Sequence, residues 1–316
     1  MPLVDFNIAA RAKQIDAPGK KLAELGETHP NIVVVNADLG VTNRSKAFYF
    51  KYPERSFDVG IAEQNMVSFA SGLAHEGFMP FVFTMSPFLT MRSCEQVRTD
   101  ICYGEYPVRL VGNAAGYASG VSGATHCGLE DVAIMASMGG MTVVEAADQD
   151  QFCQILEASM DWKGPIYMRM GAEPEGSIYE HPDFEFGKAQ VAREGKDGAF
   201  IVSGITVKFA LEAAARIKEE LGADIEVLNV HTVKPLDKEA VAAAAKTGKV
   251  IVAQDHSIVG GLGYYAAEAI AEAGVACKFE IAGAPDKYVP LATTPFLYEI
   301  NKYDANGLFE RMKAML

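Results

Sequence analysis

The run Asn31-Ile-Val-Val-Val-Asn36 decides the fold class. An unbroken set of β-branched apolar residues leaves no side of a strand for water, so the run reads as a parallel strand buried on both faces. A mixed polar and apolar helix over 19–27 precedes it, and comparable strands are expected at 108–111, 141–145 and 165–168. Helical patterns over 63–75, 93–102, 129–138 and 149–160 lie between them. Strands alternating with helices predict a parallel sheet covered on both sides.

The pattern breaks at 173–187, where Pro174, Gly176, Pro182 and Gly187 stand among charges and read as a linker. Alternation then resumes, with strands at 199–203, 225–230, 249–253 and 277–281 and helices at 207–221, 236–245 and 263–273. The expectation is an α/β protein of two open α/β domains with mainly parallel sheets, residues 1–185 and 186–316.

Composition narrows the function classes. The chain has 316 residues and a formal net charge of −13, which argues against nucleic acid or an anionic membrane as its main partner. No segment offers the roughly 20 unbroken apolar residues of a membrane span. Five scattered cysteines without a C-x-x-C pair suit free thiols in a reducing compartment, so a cytoplasmic protein is expected.

The chemistry concentrates in Phe57-Asp-Val-Gly-Ile-Ala-Glu-Gln-Asn-Met-Val-Ser-Phe-Ala-Ser-Gly-Leu-Ala74, where a bend at Gly60 leads into a mostly apolar helix with Glu63 in its first turn. Alone, Glu63 reads as a helix-start carboxylate favoured by the helix dipole. Its company points further: Pro80 to Arg98, with Phe83, Phe88 and Arg92, and Gly123-Ala-Thr-His-Cys-Gly-Leu-Glu-Asp131. With Asn36-Ala-Asp-Leu-Gly40, Asn229-Val-His-Thr-Val-Lys-Pro-Leu-Asp237 and Asp255-His-Ser-Ile-Val-Gly-Gly-Leu-Gly263, these motifs resemble, in order and spacing, the transketolase family of thiamine diphosphate enzymes. The resemblance covers its pyrimidine-binding and C-terminal domains.

That resemblance implies a role for each residue. Glu63 hydrogen-bonds the aminopyrimidine and so activates the cofactor, which carries the difficult carbanion chemistry. A glutamate that donates a hydrogen bond must hold a proton, so its surroundings would have to raise its pKa. Phe88 takes the ring-stacking position, and Phe83 is a second aromatic candidate whose alternative is plain core. Asp38 matches an acidic residue beside the cofactor, or simply shapes a turn before Gly40. Ile61 wedges against the bent cofactor or belongs to the core. His126 handles protons or hydrogen bonds at the reacting carbonyl, work suited to an imidazole titrating near neutrality. Arg169 aligns with an arginine that binds substrate phosphate, and Arg92 is a second substrate-binding candidate, with a surface ion pair as its alternative. His231 and His256 are expected to be structural or interface residues.

Two kinds of departure qualify the resemblance. The family's Gly-Asp-Gly with paired downstream asparagines, which holds the diphosphate and its Mg2+, is absent from the sequence. A separate N-terminal-type subunit is therefore expected to bring the diphosphate site and most of the metal's ligands, with self-association giving an α2β2 assembly. Val121-Ser122-Gly123 replaces the family's Glu-Asp-Gly, Ala114 replaces a histidine, and the N-terminal phosphate-binding arginine falls near Ile15, with Arg11 and Lys13 as stand-ins. Sites that hydrogen-bond a hydroxyl discriminate strongly, so Ser122 bears on which small anionic sugar is used.

The reading is a subunit of a transketolase-like enzyme that moves a two-carbon ketol unit between ketose and aldose. Its alternatives are another thiamine-dependent synthase, a 2-oxoacid dehydrogenase β-type subunit, or a non-catalytic regulatory partner.

Overall fold

The computed structural model describes residues 17–40, 44–172, 174 and 176–316. Ile15, Arg11 and Lys13 lie outside the described residues.

Helix α1 (Ala17–Thr28) leads into β1 (Ile32–Asn36), whose five residues are all buried, as a strand covered on both faces requires. Then come α2 (Lys46–Lys51), β2 (Ser56–Asp58), α3 (Glu63–His75) and β3 (Met79–Met85). Strands β4 (Arg109–Asn113), β5 (Thr142–Glu145) and β6 (Ile166–Arg169) follow, with α4 (Asp131–Ala136) before β5 and α5 (Gln149–Ala158) before β6. The second half runs β7 (Gln190–Arg193), β8 (Gly198–Val202), α6 (Thr206–Leu221), β9 (Ile225–Asn229), β10 (Thr232–Lys234) and α7 (Lys238–Ala245). It closes with β11 (Lys249–Ser257), α8 (Leu262–Glu272), β12 (Lys278–Ala284), α9 (Thr294–Ile300) and α10 (Ala305–Met315).

Two sheets result, in the orders β10-β5-β6-β4-β3-β1-β2 and β12-β11-β8-β9-β7. Among the described residues every strand pairing is parallel except β10 with β5 and β7 with β9. Alternation along β3 shows why each strand is apolar throughout. Phe81 and Phe83 pack with Leu22, Phe48 and Phe152 on one side, while Val82 packs with Val35, Met66 and Leu110 on the other.

The halves are not independent. Strand β10 belongs by sequence to the second half, yet it is the edge of the first sheet, with Thr232 opposite Val144. One apolar cluster also runs from Val35, Met66 and Val82 through to Ile201, Val233 and Val250. The boundary at residue 185 falls between β6 and β7, but the packing crosses it.

The helix expected over 93–102 is different. A three-residue α turn, Cys94–Gln96, lies between two wide π turns, Phe88–Arg92 and Val97–Cys102. Wide turns of this kind re-aim the side chains that follow and concentrate at functional sites. No helix among the described residues is long and apolar enough to cross a membrane.

Candidate active site

The connections leaving the C-terminal ends of β1, β2, β3 and β4 carry the candidate residues. That edge, where strand order reverses about β1, is where open α/β sheets hold ligands. Asp38 follows β1, Ile61 and Glu63 follow β2, Phe88 and Arg92 follow β3, and Ser122 and His126 follow β4.

Glu63 is the first residue of α3, reached through Gly60 at φ +73°. That sign of φ suits glycine, and the sharp turn lets the helix start directly under the strand ends. The Glu63 side chain is only 3% exposed, yet it is ion-paired: Arg92 Nη1 donates to its Oε2 at 2.8 Å. The Arg92 side chain is 46% exposed, so the pair joins a buried carboxylate to a half-open cation. The guanidinium also lies over the Phe88 ring, 4.3 Å from its centroid. Phe88 in turn meets the His126 imidazole edge-on, with centroids 5.4 Å apart at 72°. Glu63, Arg92, Phe88 and His126 thus form one contiguous group drawn from three connections.

The flanking residues are set by local chemistry. Asp38 is exposed in the left-handed region at φ +60°, which Asp tolerates better than most residues. Its N–H and that of Gly60 both donate to Asp58 Oδ1 at 2.9 Å, tying the connections after β1 and β2 together. Sequence reasoning misses Asp58, although Asp58-x-Gly60 is an ordinary Asx-turn signal. Ile61 is 75% exposed, far from the core position that was its alternative. Ser122 is exposed in a short 3-10 turn, and the half-buried His126 shares a 2.8 Å hydrogen bond with Thr125 Oγ1 through Nδ1.

Two of the expected site residues are buried. Phe83, at 2% exposure, packs with Phe81 and Leu22 because residues two apart on a strand share a face, the core position that was its alternative. Arg169, expected to hold a substrate anion, is 0% exposed and its donors are engaged within the chain. Its Nε donates to Asp131 Oδ2 at 2.8 Å, Nη1 to Glu145, and Nη2 to the carbonyls of Gly128 (3.1 Å) and Asp255 (2.6 Å). Burial alone would depress the guanidinium, but Asp131, Glu145 and Asp255 outweigh it and hold its pKa well above the ordinary value.

This buried group also explains why Phe88 and His126 meet. Asp131 Oδ2 accepts from Ser86 Oγ (2.9 Å), Tyr167 OH (2.6 Å) and Arg169, so the turn before Phe88 and the helix after His126 share one anchor. Burial pushes the Asp131 carboxyl up, but Arg169 foremost among its partners brings it net below the ordinary carboxylate value. His231 and His256 are both buried, and His256 Nε2 lies 3.9 Å from Asp131 Oδ1.

Chemically, the rim offers a sunken carboxylate already engaging an N–H donor, an aromatic face beside it, and an imidazole one ring further on. A flat heterocycle with a ring nitrogen and an amino group fits that donor set, exchanging with the Arg92 guanidinium on Glu63 and Phe88. Among the described residues there is no cluster of three or more His, Cys, Asp or Glu suited to a metal ion.

Comparisons with known proteins agree with this architecture. The family model for the transketolase pyrimidine-binding domain matches residues 12–173, and that for the transketolase C-terminal domain matches 187–306. A 6-deoxy-6-sulfo-D-fructose transketolase subunit of Clostridium sp. (strain MSTE9) is 40% identical, over 79% of this chain and 78% of its own. One of the subunits of an apulose-4-phosphate transketolase from Phocaeicola vulgatus is 36% identical over 91% of this chain and 92% of its own. Among solved structures, a split-gene transketolase described as an inactive beta4 tetramer superposes with a TM-score of 0.84 at 33% identity, covering 95% of this chain and 96% of that one. With both of its halves matched and relatives of this kind along nearly its whole length, the chain belongs to the transketolase family.

Proposed function

We propose that this chain is the pyrimidine-side subunit of a two-chain, thiamine diphosphate-dependent transketolase that moves a two-carbon ketol unit between a ketose and an aldose carrying a phosphate or sulfonate group. The observation that carries the reading is Glu63: a carboxylate sunk below the strand ends, with the Phe88 ring and the His126 imidazole linked to it through Arg92.

The cofactor, when bound, would supply the nucleophilic chemistry at the donor carbonyl. Glu63 holds the aminopyrimidine ring nitrogen and fixes its tautomer. Phe88 stacks on the same ring; an offset aromatic pair contributes about 0.5–1.5 kcal/mol beyond area burial. Ile61, projecting from the bend before α3, braces the cofactor from the solvent side. Asp38 lines the rim where the partner chain meets this one, and His126 donates to or accepts from substrate oxygens at the reacting carbon. Arg92, freed from Glu63, and the exposed Ser122 hydroxyl face the donor's polar groups. A separate polypeptide supplies the diphosphate site and Mg2+, and two copies of each chain close the assembly.

Phosphate and sulfonate are both tetrahedral oxyanions that a guanidinium fork suits. The names of the two relatives point to those two classes, one sugar with a sulfonate and one with a phosphate. The test is reconstitution with an N-terminal-type transketolase subunit, assaying donor cleavage with phosphorylated and sulfonated ketoses against pyruvate. Glu63→Gln should lose more than about 100-fold in rate, the scale for removing a positioned acid–base group. Equal rates for wild type and Glu63→Gln, or cleavage of pyruvate alone, would overturn the proposal.

A further inference from the structure

The connection from β4 to α4 leaves the first sheet, carries Ser122 and His126, and returns. Its neck is closed within the first half, where Gly116 N–H donates to Gly128 O at 2.8 Å. Beyond the neck, the second half of the chain seats it. Tyr117 N–H is shared between the two carboxylate oxygens of Asp255, at 3.2 and 3.1 Å. Thr294 Oγ1 donates to Tyr117 O at 2.8 Å, and Ser257 N–H to Leu129 O at 2.8 Å. Arg169 Nη2 donates both to Gly128 O and to Asp255 O, so the main chain of Asp255 is tied to the exit of the same connection whose entry its carboxylate holds.

Asp255 is itself built into place. It lies on β11, is 1% exposed, and accepts from Tyr298 OH at Oδ2 and Tyr303 OH at Oδ1, each at 2.8 Å. A Cβ on Gly116, at φ +62°, would come within 2.0 Å of Asp255 Oδ2, so the approach of the connection to this carboxylate is as close as glycine permits. Burial pushes the Asp255 carboxyl up to about 6, against Arg169 and the three donors. A carboxylate held at that cost of desolvation, with neutral donors on its oxygens, is more than a generic surface contact.

We infer that Asp255 is a positioning residue for His126: the second half of the chain, through this one carboxylate and its main-chain carbonyl, fixes the entry and exit of the connection that holds the imidazole against Phe88. The inference rests on the function proposed above. It assigns the second half a direct part in the chemistry, beyond assembly.

The test uses the reconstituted two-chain enzyme and the full chain. Asp255→Asn puts an amide N–H against the Tyr117 N–H; Tyr303→Phe deletes one hydroxyl and little volume, and so keeps the test open should the first variant not fold. Asp255→Asn is expected to lower kcat on the order of 100-fold, the scale of a 1 Å misplacement, and Tyr303→Phe about 5-fold, the loss of one hydrogen bond. Thiamine diphosphate affinity should stay within about 3-fold, because Glu63, Phe88 and Arg92 are untouched. In the full chain, labelled-histidine NMR should show the His126 imidazole resonances displaced, assigned by their loss in His126→Ala. Unchanged kcat and unmoved His126 resonances would overturn the inference. So would cofactor affinity, kcat and thermal midpoint falling together, which marks a role in the fold alone. Either result leaves the proposed function intact as long as Glu63→Gln is inactive.

Discussion

Arg92 reaches back over 29 residues of chain to place its guanidinium on Glu63, so the carboxylate at the start of α3 is neutralised by its own chain. The same guanidinium covers the Phe88 ring. Carboxylate and ring are the two surfaces a pyrimidine would use, and one arginine lies across both.

Arg92→Ala should therefore separate two effects. Removing the guanidinium clears Glu63 and Phe88, and thiamine diphosphate should bind the reconstituted enzyme at least as tightly as before. The donor's anionic group loses a cation, and its KM should rise by about 10-fold or more, the equivalent of one charge-assisted hydrogen bond. Weaker cofactor binding with an unchanged KM would sink this account.

Arg169→Met should act on stability. It leaves Asp131 and Glu145 buried without their cation, a change that costs about 3–5 kcal/mol. Arg92→Met, in a pair whose cation is 46% exposed, should cost less than Arg169→Met. Chemical denaturation of the two variants tests this directly; a stable Arg169→Met protein with a raised donor KM would restore the substrate role.

His231 makes stability pH-dependent. Its Nδ1 shares a 2.9 Å hydrogen bond with Thr232 Oγ1, its ring lies 4.5 Å from that of Phe184, and burial foremost, then His181, push it down to about 3. The unfolded chain takes up this proton near the ordinary 6.5 and the folded chain only near 3, so stability is full above pH 6.5 and falls as pH drops through that window. The slope from this one group is at most ~1.4 kcal/mol per pH unit. His231→Phe should flatten the stability curve between about pH 6 and 4; an unaltered slope there would count against it.

Calorimetry on the chain without a partner should show weak thiamine diphosphate binding that Mg2+ does not strengthen. The motive is that the described residues present a ring-binding group and no acidic cluster for a metal. Tight, Mg2+-dependent binding by this chain alone would contradict the two-chain proposal.

The α/β alternation is readable because buried parallel strands such as Ile32–Asn36 and Ile166–Arg169 are continuously apolar up to their ends. The expected strands omit β3, which has Pro80 inside it, and proline ordinarily argues against a central strand. Strand β10, three residues long, is too short for any period to register. Of the site, Glu63, Phe88 and His126 are visible through their motifs. The burial of Phe83 follows from β3, so it is hidden along with that strand. The fate of Arg169 is hidden, since it depends on Asp131, Glu145 and Asp255, which are distant in the chain and meet only in the fold.

The antiparallel pairing of Thr232 and Lys234 with β5 sets a limit on modularity. Cutting at the linker would strip residues 17–172 of an outermost strand and bare the N–H and C=O groups of Thr142–Glu145, a template for aggregation. The C-terminal fragment would carry a strand with nothing to pair with. Any hybrid made by exchanging one half with a relative must therefore carry residues 232–234 along with the sheet they complete rather than with the sequence they belong to.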